Sequence, residues 1–403
     1  MSKEVRLSER GKRMPASPIR KLVPLADRAR QRGIKVYHLN IGQPDIETPP
    51  EILNAYRNID IKVLGYGPSG GLASYVAALV SYYRGVGIDV EPCDILVTTA
   101  GSEALLFAFK AVADVDDEII VPEPFYTNYL GFAVMSEISL VPLTTRVEDG
   151  FALPGRAAFE RLITPRTRAI LFSNPGNPTG VVYTPREMEL LVGLALDHGL
   201  YLVADEVYRE FIYDEDVRHV SVMSYPAIAD RAVMVDSVSK RYSACGARVG
   251  CVVSRNRDLI ATMLRFGQAR LCPPTVDQLA AEAAVRVPAS YFEAVRAEYR
   301  KRRDLLCREL SRIPGVSCRL PRGAFYAVVK LPVDDAEAFA RFLLDEFDLD
   351  GETVMIAPAA GFYATPGLGR DEARIAYVLN TGDIARALRA LRAGLEAYRA
   401  KRA

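Results

Sequence analysis

Between residues 95 and 253 short apolar runs alternate with longer stretches of helical spacing. Residues 95–98 form one such run and lead into 102–113, where apolar side chains recur with helical periodicity and few breakers. Residues 119–121, 138–141 and 169–172 are further runs bounded by turn residues, and they read as strands. Residues 187–198 have helical spacing and precede the strand candidate 201–204, and 232–235 and 249–253 continue the strand series. Such alternation predicts βαβ units and an α/β fold, with a mainly parallel sheet covered by helices on both faces.

Beyond about residue 275 the pattern changes. A stretch rich in Ala, Arg and Glu predicts helix over 276–312, interrupted at Pro288. Strand candidates follow at 316–320 and 324–329, then a helix at 336–346, a strand at 375–378 and a helix from 384 onward. This second half predicts a smaller α+β domain.

Composition narrows the function classes. A formal charge of +1 over 403 residues argues against a global attraction to nucleic acid or membrane. The run Arg300-Lys301-Arg302-Arg303 falls in helical sequence and reads as a solvated helix face. The six cysteines include no CxxC pair, and none of the three histidines stands at a metal-ligand spacing from a cysteine. Buried, reduced thiols are the expectation. The first eighteen residues are charged and lack the apolar stretch of a signal peptide, and no apolar run reaches membrane-spanning length. A cytoplasmic location is therefore expected.

Four segments carry candidate chemistry. Asn174-Pro-Gly-Asn177-Pro-Thr-Gly180 follows a strand, and its prolines and glycines predict a rigid turn where open α/β sheets place ligands. Asn177 would then point its amide in a fixed direction; a plain turn is the alternative. In Tyr201-Leu-Val-Ala-Asp205-Glu206-Val-Tyr208 an acidic pair ends an apolar run, a costly place for charge unless it is satisfied. Asp205 could serve a metal, a proton transfer or a cationic ligand, or could cap a helix. Asp236-Ser237-Val-Ser239-Lys240 continues to Gly246 and Arg248, placing hydroxyls, an amine and a guanidinium together as a phosphate site would require. A lysine near other cations and partly desolvated has a lowered pKa and can form a Schiff base; an exposed basic loop is the alternative. Finally, Gly101 and Ser102 open the helix predicted after residues 95–98, where backbone N–H groups can bind an anion.

Taken in order, these motifs resemble the fold-type I pyridoxal-phosphate enzymes, specifically the class I/II aminotransferases. That family carries an NPxNPTG turn, an Asp-x-x-Tyr strand end, and Ser-x-Ser-Lys followed by Gly and Arg six and eight residues later. The likeness runs from about Leu39 to the C-terminal helix. It implies an aspartate aminotransferase-like fold with a seven-stranded sheet. The large domain would span residues 50–285, and the small one 1–49 plus 286–403. It implies pyridoxal 5'-phosphate held as a Schiff base on Lys240, which would also shuttle the substrate proton. Asp205 would pair with the ring nitrogen, and Asn177 and Tyr208 with the ring's phenolic oxygen. Gly101, Ser102, Ser237, Ser239 and Arg248 would bind the phosphate, and Tyr126 would stack on the ring. Tyr66 would reach the phosphate of a neighbouring subunit, implying a homodimer with shared active sites. Arg374 would grip the substrate α-carboxylate as a bidentate pair, with Gly42 facing the same group.

The implied reaction is ping-pong transamination between an L-amino acid and a 2-oxo acid. A carbon–sulfur β-lyase on the same scaffold is the alternative, and a non-catalytic regulatory module the alternative from another class. Such modules carry a DNA-binding domain ahead of this part, and fewer than about 40 residues precede the first motif here. Aspartate-using relatives often carry a lysine after the phosphate-loop glycine. Ser102 stands there in this chain, which argues against that route to aspartate specificity.

Overall fold

Residues 5–402 are described by a computed structural model of the chain. Seven strands form the main sheet, in the order Ile95–Thr98, Gly250–Val253, Ala232–Ser237, Tyr201–Asp205, Thr167–Ser173, Glu118–Glu123, Ser139–Thr144. Gly250–Val253 runs antiparallel to both neighbours, and the other strands are parallel. The side-chain period of two explains why these strands are apolar throughout. Ile170, Phe172, Leu202 and Ala204 feed one buried cluster, while Ala169, Leu171 and Val203 feed another on the opposite face. With both faces dry, polar residues are left at the strand ends, and Asp205, Ser237, Ser173 and Glu123 all end parallel strands there.

A four-stranded antiparallel sheet contains Ser317–Cys318, Tyr326–Lys330, Glu372–Ala376 and Ala357–Pro358. Lys35–His38 pairs in parallel with Glu352–Met355, so the N-terminal segment joins the C-terminal part of the chain. The helices Ala289–Leu310, Ala336–Asp345 and Thr381–Arg402 pack here around a further apolar core. Glu123 ties this part to the main sheet, accepting backbone hydrogen bonds from Ala364 (2.8 Å) and Thr365 (3.0 Å).

Three expectations need correction. Arg302 and Arg303 are buried rather than solvated. Arg302 pairs with Asp45 (2.6 Å) and Glu298 (2.8 Å), and Arg303 with Asp214 (3.0 Å). Their acidic partners at 45 and 214 are remote in sequence, so local spacing could not reveal them. Of the six free cysteines only Cys251 is buried, and Cys93 is exposed. The strand expected over 316–320 is only Ser317–Cys318, which pairs with Val329 and Lys330 alone. Pro288 does interrupt the helical stretch, standing as N-cap of Ala289–Leu310 where its missing N–H costs nothing.

Behind the strand ends lies a buried ionic cluster. Asp236 accepts hydrogen bonds from Arg241, Arg209 (3.3 Å) and Tyr83 (2.9 Å). Arg209 also reaches Glu206 (3.0 Å), beside His219 (3.4 Å). Burial opposes ionisation of Asp236, but the two guanidiniums hold its carboxyl below the usual range. The cluster fixes the residues adjoining Asp205, Ser237 and Lys240. Arg241→Ala leaves a buried carboxylate short of charge and is expected to cost about 3 kcal/mol. Arg312→Ala, which breaks an exposed pair with Glu309, should cost under about 1 kcal/mol. Urea titrations of the two variants compare them, and equal losses would contradict the buttressing role.

Candidate active site

The strand Ala232–Ser237 runs directly into a single helical turn, Val238–Arg241, which Ser237 caps by accepting from Ser239 N–H (3.2 Å). Lys240 is thereby aimed past the sheet's carboxyl edge, and its Nζ donates to the Gly42 carbonyl at 2.9 Å. Residue 42 has to be glycine: a Cβ there would lie 1.8 Å from the Tyr326 hydroxyl.

Asp205 ends the neighbouring strand and is buried. Its Oδ2 accepts from the Tyr129 hydroxyl at 2.7 Å, and its Oδ1 has only the long contact from Val207 N–H at 3.5 Å. Burial pushes its carboxyl up to about 6, against the Tyr129 and Val207 hydrogen bonds and the nearby Lys240 charge. No cation among the described residues forms an ion pair with it.

Opposite stands Arg374, on the strand Glu372–Ala376 and only 1 % exposed. It donates to Asn177 Oδ1 (3.0 Å) and to the Asn40 carbonyl (2.5 Å), and Nε is left without a partner. Its guanidinium lies over the rings of Tyr326 (4.6 Å) and Phe362 (4.9 Å). No carboxylate among the described residues pairs with it, and burial pulls its pKa down. Asn177 Nδ2 in turn donates to the Tyr208 hydroxyl at 3.4 Å, and that hydroxyl lies 2.8 Å from the Tyr326 hydroxyl. The NPGNPTG turn places Asn177 by closing on itself, Gly180 N–H to Gly176 carbonyl at 2.9 Å.

The helix Ala100–Val112 begins beside Ser237, with Gly101 near the Ser237 side chain. The Ser237 and Ser239 hydroxyls are 2.8 Å apart. Gly250 lets this loop close on the antiparallel strand, since a Cβ there would lie 2.6 Å from the carbonyl carbon of Ala100. Ala100 (φ 59°) and Arg248 (φ 54°) both hold left-handed backbone, a strain of roughly 1–3 kcal/mol per residue that clusters at ligand sites. Arg248 is exposed, with Nη1 on the Cys245 carbonyl (3.0 Å). Tyr126 meets Tyr129 edge to face (5.5 Å), and Tyr66 projects from the protein at 84 % exposure.

Comparison with known proteins gives these features a common origin. The model for aminotransferase class I and II matches residues 34–391. The chain belongs to that family. The aminotransferase is 29% identical to the aspartate aminotransferase of Geobacillus stearothermophilus, over 98% of this chain and 100% of that one. It is 32% identical to the arginine–pyruvate transaminase of Pseudomonas aeruginosa, over 82% of this chain and 84% of that one. Among solved structures, aspartate aminotransferase from Thermus thermophilus with maleate superposes with TM-score 0.86 at 28% identity, covering 97% of this chain and 100% of that one. Alanine aminotransferase from Pyrococcus furiosus gives 0.87 at 29% identity, with the same coverage. The α/β fold with its mainly parallel seven-stranded sheet is thus the family's own, and the activity is pyridoxal-phosphate-dependent transamination.

The aminotransferase's residues fit that cofactor. Asp205 is a buried carboxylate lacking a cation, which suits a protonated ring nitrogen. The Gly101 helix start with Ser237 and Ser239 suits a phosphate. The Lys240 amine is held by the Gly42 carbonyl and a longer contact to the Cys245 thiol (3.7 Å), with no carboxylate paired to it among the described residues. The fold brings Gly42, Asn177, Asp205, Tyr208, Lys240 and Arg374 into one constellation, with Tyr126 along its edge through Tyr129. Tyr66 makes no hydrogen bond to this constellation. Sequence reasoning missed Tyr129, Tyr326, Asn40 and Phe362. Tyrosines in apolar runs read as core, and only their hydroxyls hinted at more.

Asp205 supplies a test of this site. In the cofactor-free protein its pKa of about 6 exceeds the ordinary value near 3.9. Above pH 6 the folded state holds a charge that the unfolded chain solvates, a cost on the order of 2–3 kcal/mol. Below about pH 4 both states are protonated and the cost vanishes. Asp205→Asn is expected to raise the melting temperature of the cofactor-free protein at pH 8 and to leave it nearly unchanged at pH 4. A variant no more stable than wild type at pH 8 would rule out the uncompensated charge.

Proposed function

We propose that this aminotransferase attaches its cofactor through Lys240 and grips the amino acid head group with Arg374. The observation that carries this reading is the presence of two buried charges without an ion-pair partner, Asp205 and Arg374, in one constellation with Asn177, Tyr208 and Lys240. The relatives are named for aspartate, arginine and aromatic donors. What they share is therefore the α-amine and α-carboxylate, and a receptor for the head group is what the scaffold must provide.

The residues divide the work. Arg374, whose Nε has no partner, would turn its guanidinium to the α-carboxylate, and the surrounding rings lower the local dielectric in which the ion pair forms. Asn177, already bonded to Arg374, completes the grip, and Gly42 lines the same side. Pyridoxal phosphate, when bound, supplies a ring that accepts the electron pair left at the substrate Cα. Asp205, ionised once a cationic nitrogen faces it, keeps that ring electron-poor. Asn177 and Tyr208 address the ring's phenolic oxygen, and Tyr126 covers the ring. Gly101, Ser102, Ser237, Ser239 and Arg248 hold the phosphate. With its amine free, Lys240 would take the proton from the substrate Cα and later return one, as a general base and acid. By fixing the α-carboxylate, Arg374 would limit the orientations open to the substrate Cα. The donor departs as a 2-oxo acid, and a second 2-oxo acid takes up the amino group.

The active site takes its cofactor residues from 50–285 and Arg374 from 286–403, which supports reading these as a large and a small domain with 1–49 joining the latter. The exposure of Tyr66, next to exposed Val63 and Leu64, supports a homodimer in which it completes the partner's phosphate site. Six free thiols support a reducing, cytoplasmic setting, and no helix among the described residues is long and apolar enough to cross a membrane.

Mixing the purified protein with single amino acids should convert the visible absorbance of the bound cofactor to that of its amine form. Release of ammonia and pyruvate without any acceptor would instead identify a β-lyase. Lys240→Ala should abolish turnover while retaining cofactor through the phosphate contacts, and undiminished turnover would refute its role. Arg374→Lys, which loses the bidentate fork, should raise KM for the amino donor about tenfold or more. If sites are shared, subunits carrying Tyr66→Ala and Lys240→Ala, mixed and reassociated, should regain activity at limiting cofactor, up to roughly a quarter of wild type. No recovery would argue for independent sites.

A further inference from the structure

We infer that Tyr326 is a positioning residue that links the carboxylate-binding arginine to the hydroxyl serving the cofactor ring, acting through Tyr208. This inference rests on the roles proposed above for Arg374 and Tyr208. Tyr326 opens the strand Tyr326–Lys330, whose register sets it against Ala376 and Val328 against Arg374. It is buried, yet its hydroxyl makes no hydrogen bond to a backbone group; it lies 2.8 Å from the Tyr208 hydroxyl. The face of the same ring lies 4.6 Å from the Arg374 guanidinium. Arg374 reaches Asn177, and Asn177 reaches Tyr208, so the four side chains close a ring of contacts. The hydroxyl also fills the space where residue 42 would carry a Cβ, and the Gly42 carbonyl holds the Lys240 amine.

Proton accounting gives the contact a direction. Tyr208 has one hydroxyl proton, and Asn177 Nδ2 already donates to its oxygen. If Tyr326 donates as well, the Tyr208 proton remains free for the ring's phenolic oxygen. A hydroxyl that accepts such bonds is also the stronger donor, through polarisation along the chain. Removing the Tyr326 hydroxyl alone should therefore weaken the Tyr208 bond to that oxygen. The oxygen's negative charge is then less well stabilised, so the protonated form of the bound cofactor persists to higher pH.

The test uses Tyr326→Phe, which keeps the aromatic face beneath Arg374. In the cofactor-loaded enzyme, the pH midpoint of the visible absorbance should move upward by about half to one unit. KM for the amino donor should change less than about threefold, while Tyr326→Leu, lacking the ring, should raise it further. Tyr208→Phe alone should shift the midpoint upward at least as far, and adding Tyr326→Phe to it should produce no further shift. An unchanged midpoint in Tyr326→Phe, or shifts that add in the double variant, would overturn the inference. The midpoint is read on enzyme that has bound cofactor, so it is separable from the broader reading. Wild-type protein that binds no cofactor would sink the proposed function, whereas a normal wild-type titration unaffected by Tyr326→Phe would sink only this role.

Discussion

Charge kept dry and unneutralised is the constraint around which this molecule is arranged. Asp205 and Arg374 each sit in the interior without an opposite charge, a state that ordinarily costs several kcal/mol. Neither could persist in isolation. Asp205 is held at the end of a central strand and steadied by the Tyr129 hydroxyl. Arg374 is fixed by strand pairing on both sides and by two aromatic faces. The scaffold thus stores an electrostatic deficit, which under the proposed roles a zwitterionic substrate and a cationic ring would relieve.

The neighbouring cluster of Asp236, Arg209, Arg241 and Glu206 shows the opposite solution. There each buried charge has a partner, and two arginines balance two carboxylates. One residue separates the two regimes: Asp205 lacks a cation while Glu206 has one, and Lys240 stays available while Arg241 is engaged. Successive side chains point in different directions, across the end of the strand at Asp205 and Glu206 and around the helical turn at Lys240 and Arg241, so one member of each pair enters the paired cluster and the other does not. Rigid support therefore lies directly beside the groups left unsatisfied.

Much of this was legible in the sequence, for physical reasons. Strands buried on both faces leave apolar runs, and the polar residues ending them mark the sheet's carboxyl edge. Asp205, Ser237 and Lys240 are visible for that reason, and Asn177 because prolines and glycines surround it. The antiparallel course of Gly250–Val253 was not legible, since a buried strand reads alike in either direction. Nor were Tyr326 and Tyr129, whose rings look like core and whose hydroxyls find partners only in three dimensions. The burial of Arg302 and Arg303 was hidden because, besides the local acids Glu298 and Asp304, each pairs with an acid some 90 to 260 residues away, Asp214 or Asp45.

The site draws together Gly42 near one end of the chain, against the Lys240 amine, and Arg374 near the other, against the Asn40 carbonyl. A growing polypeptide on the ribosome could form the central sheet, and the cluster beneath it, long before residue 374 was made. Until then the Lys240 amine, under the role proposed for it, would stand without the arginine proposed to select what approached it. Order of synthesis thus separates the capacity to capture a cofactor from the capacity to discriminate among substrates, and discrimination arrives last.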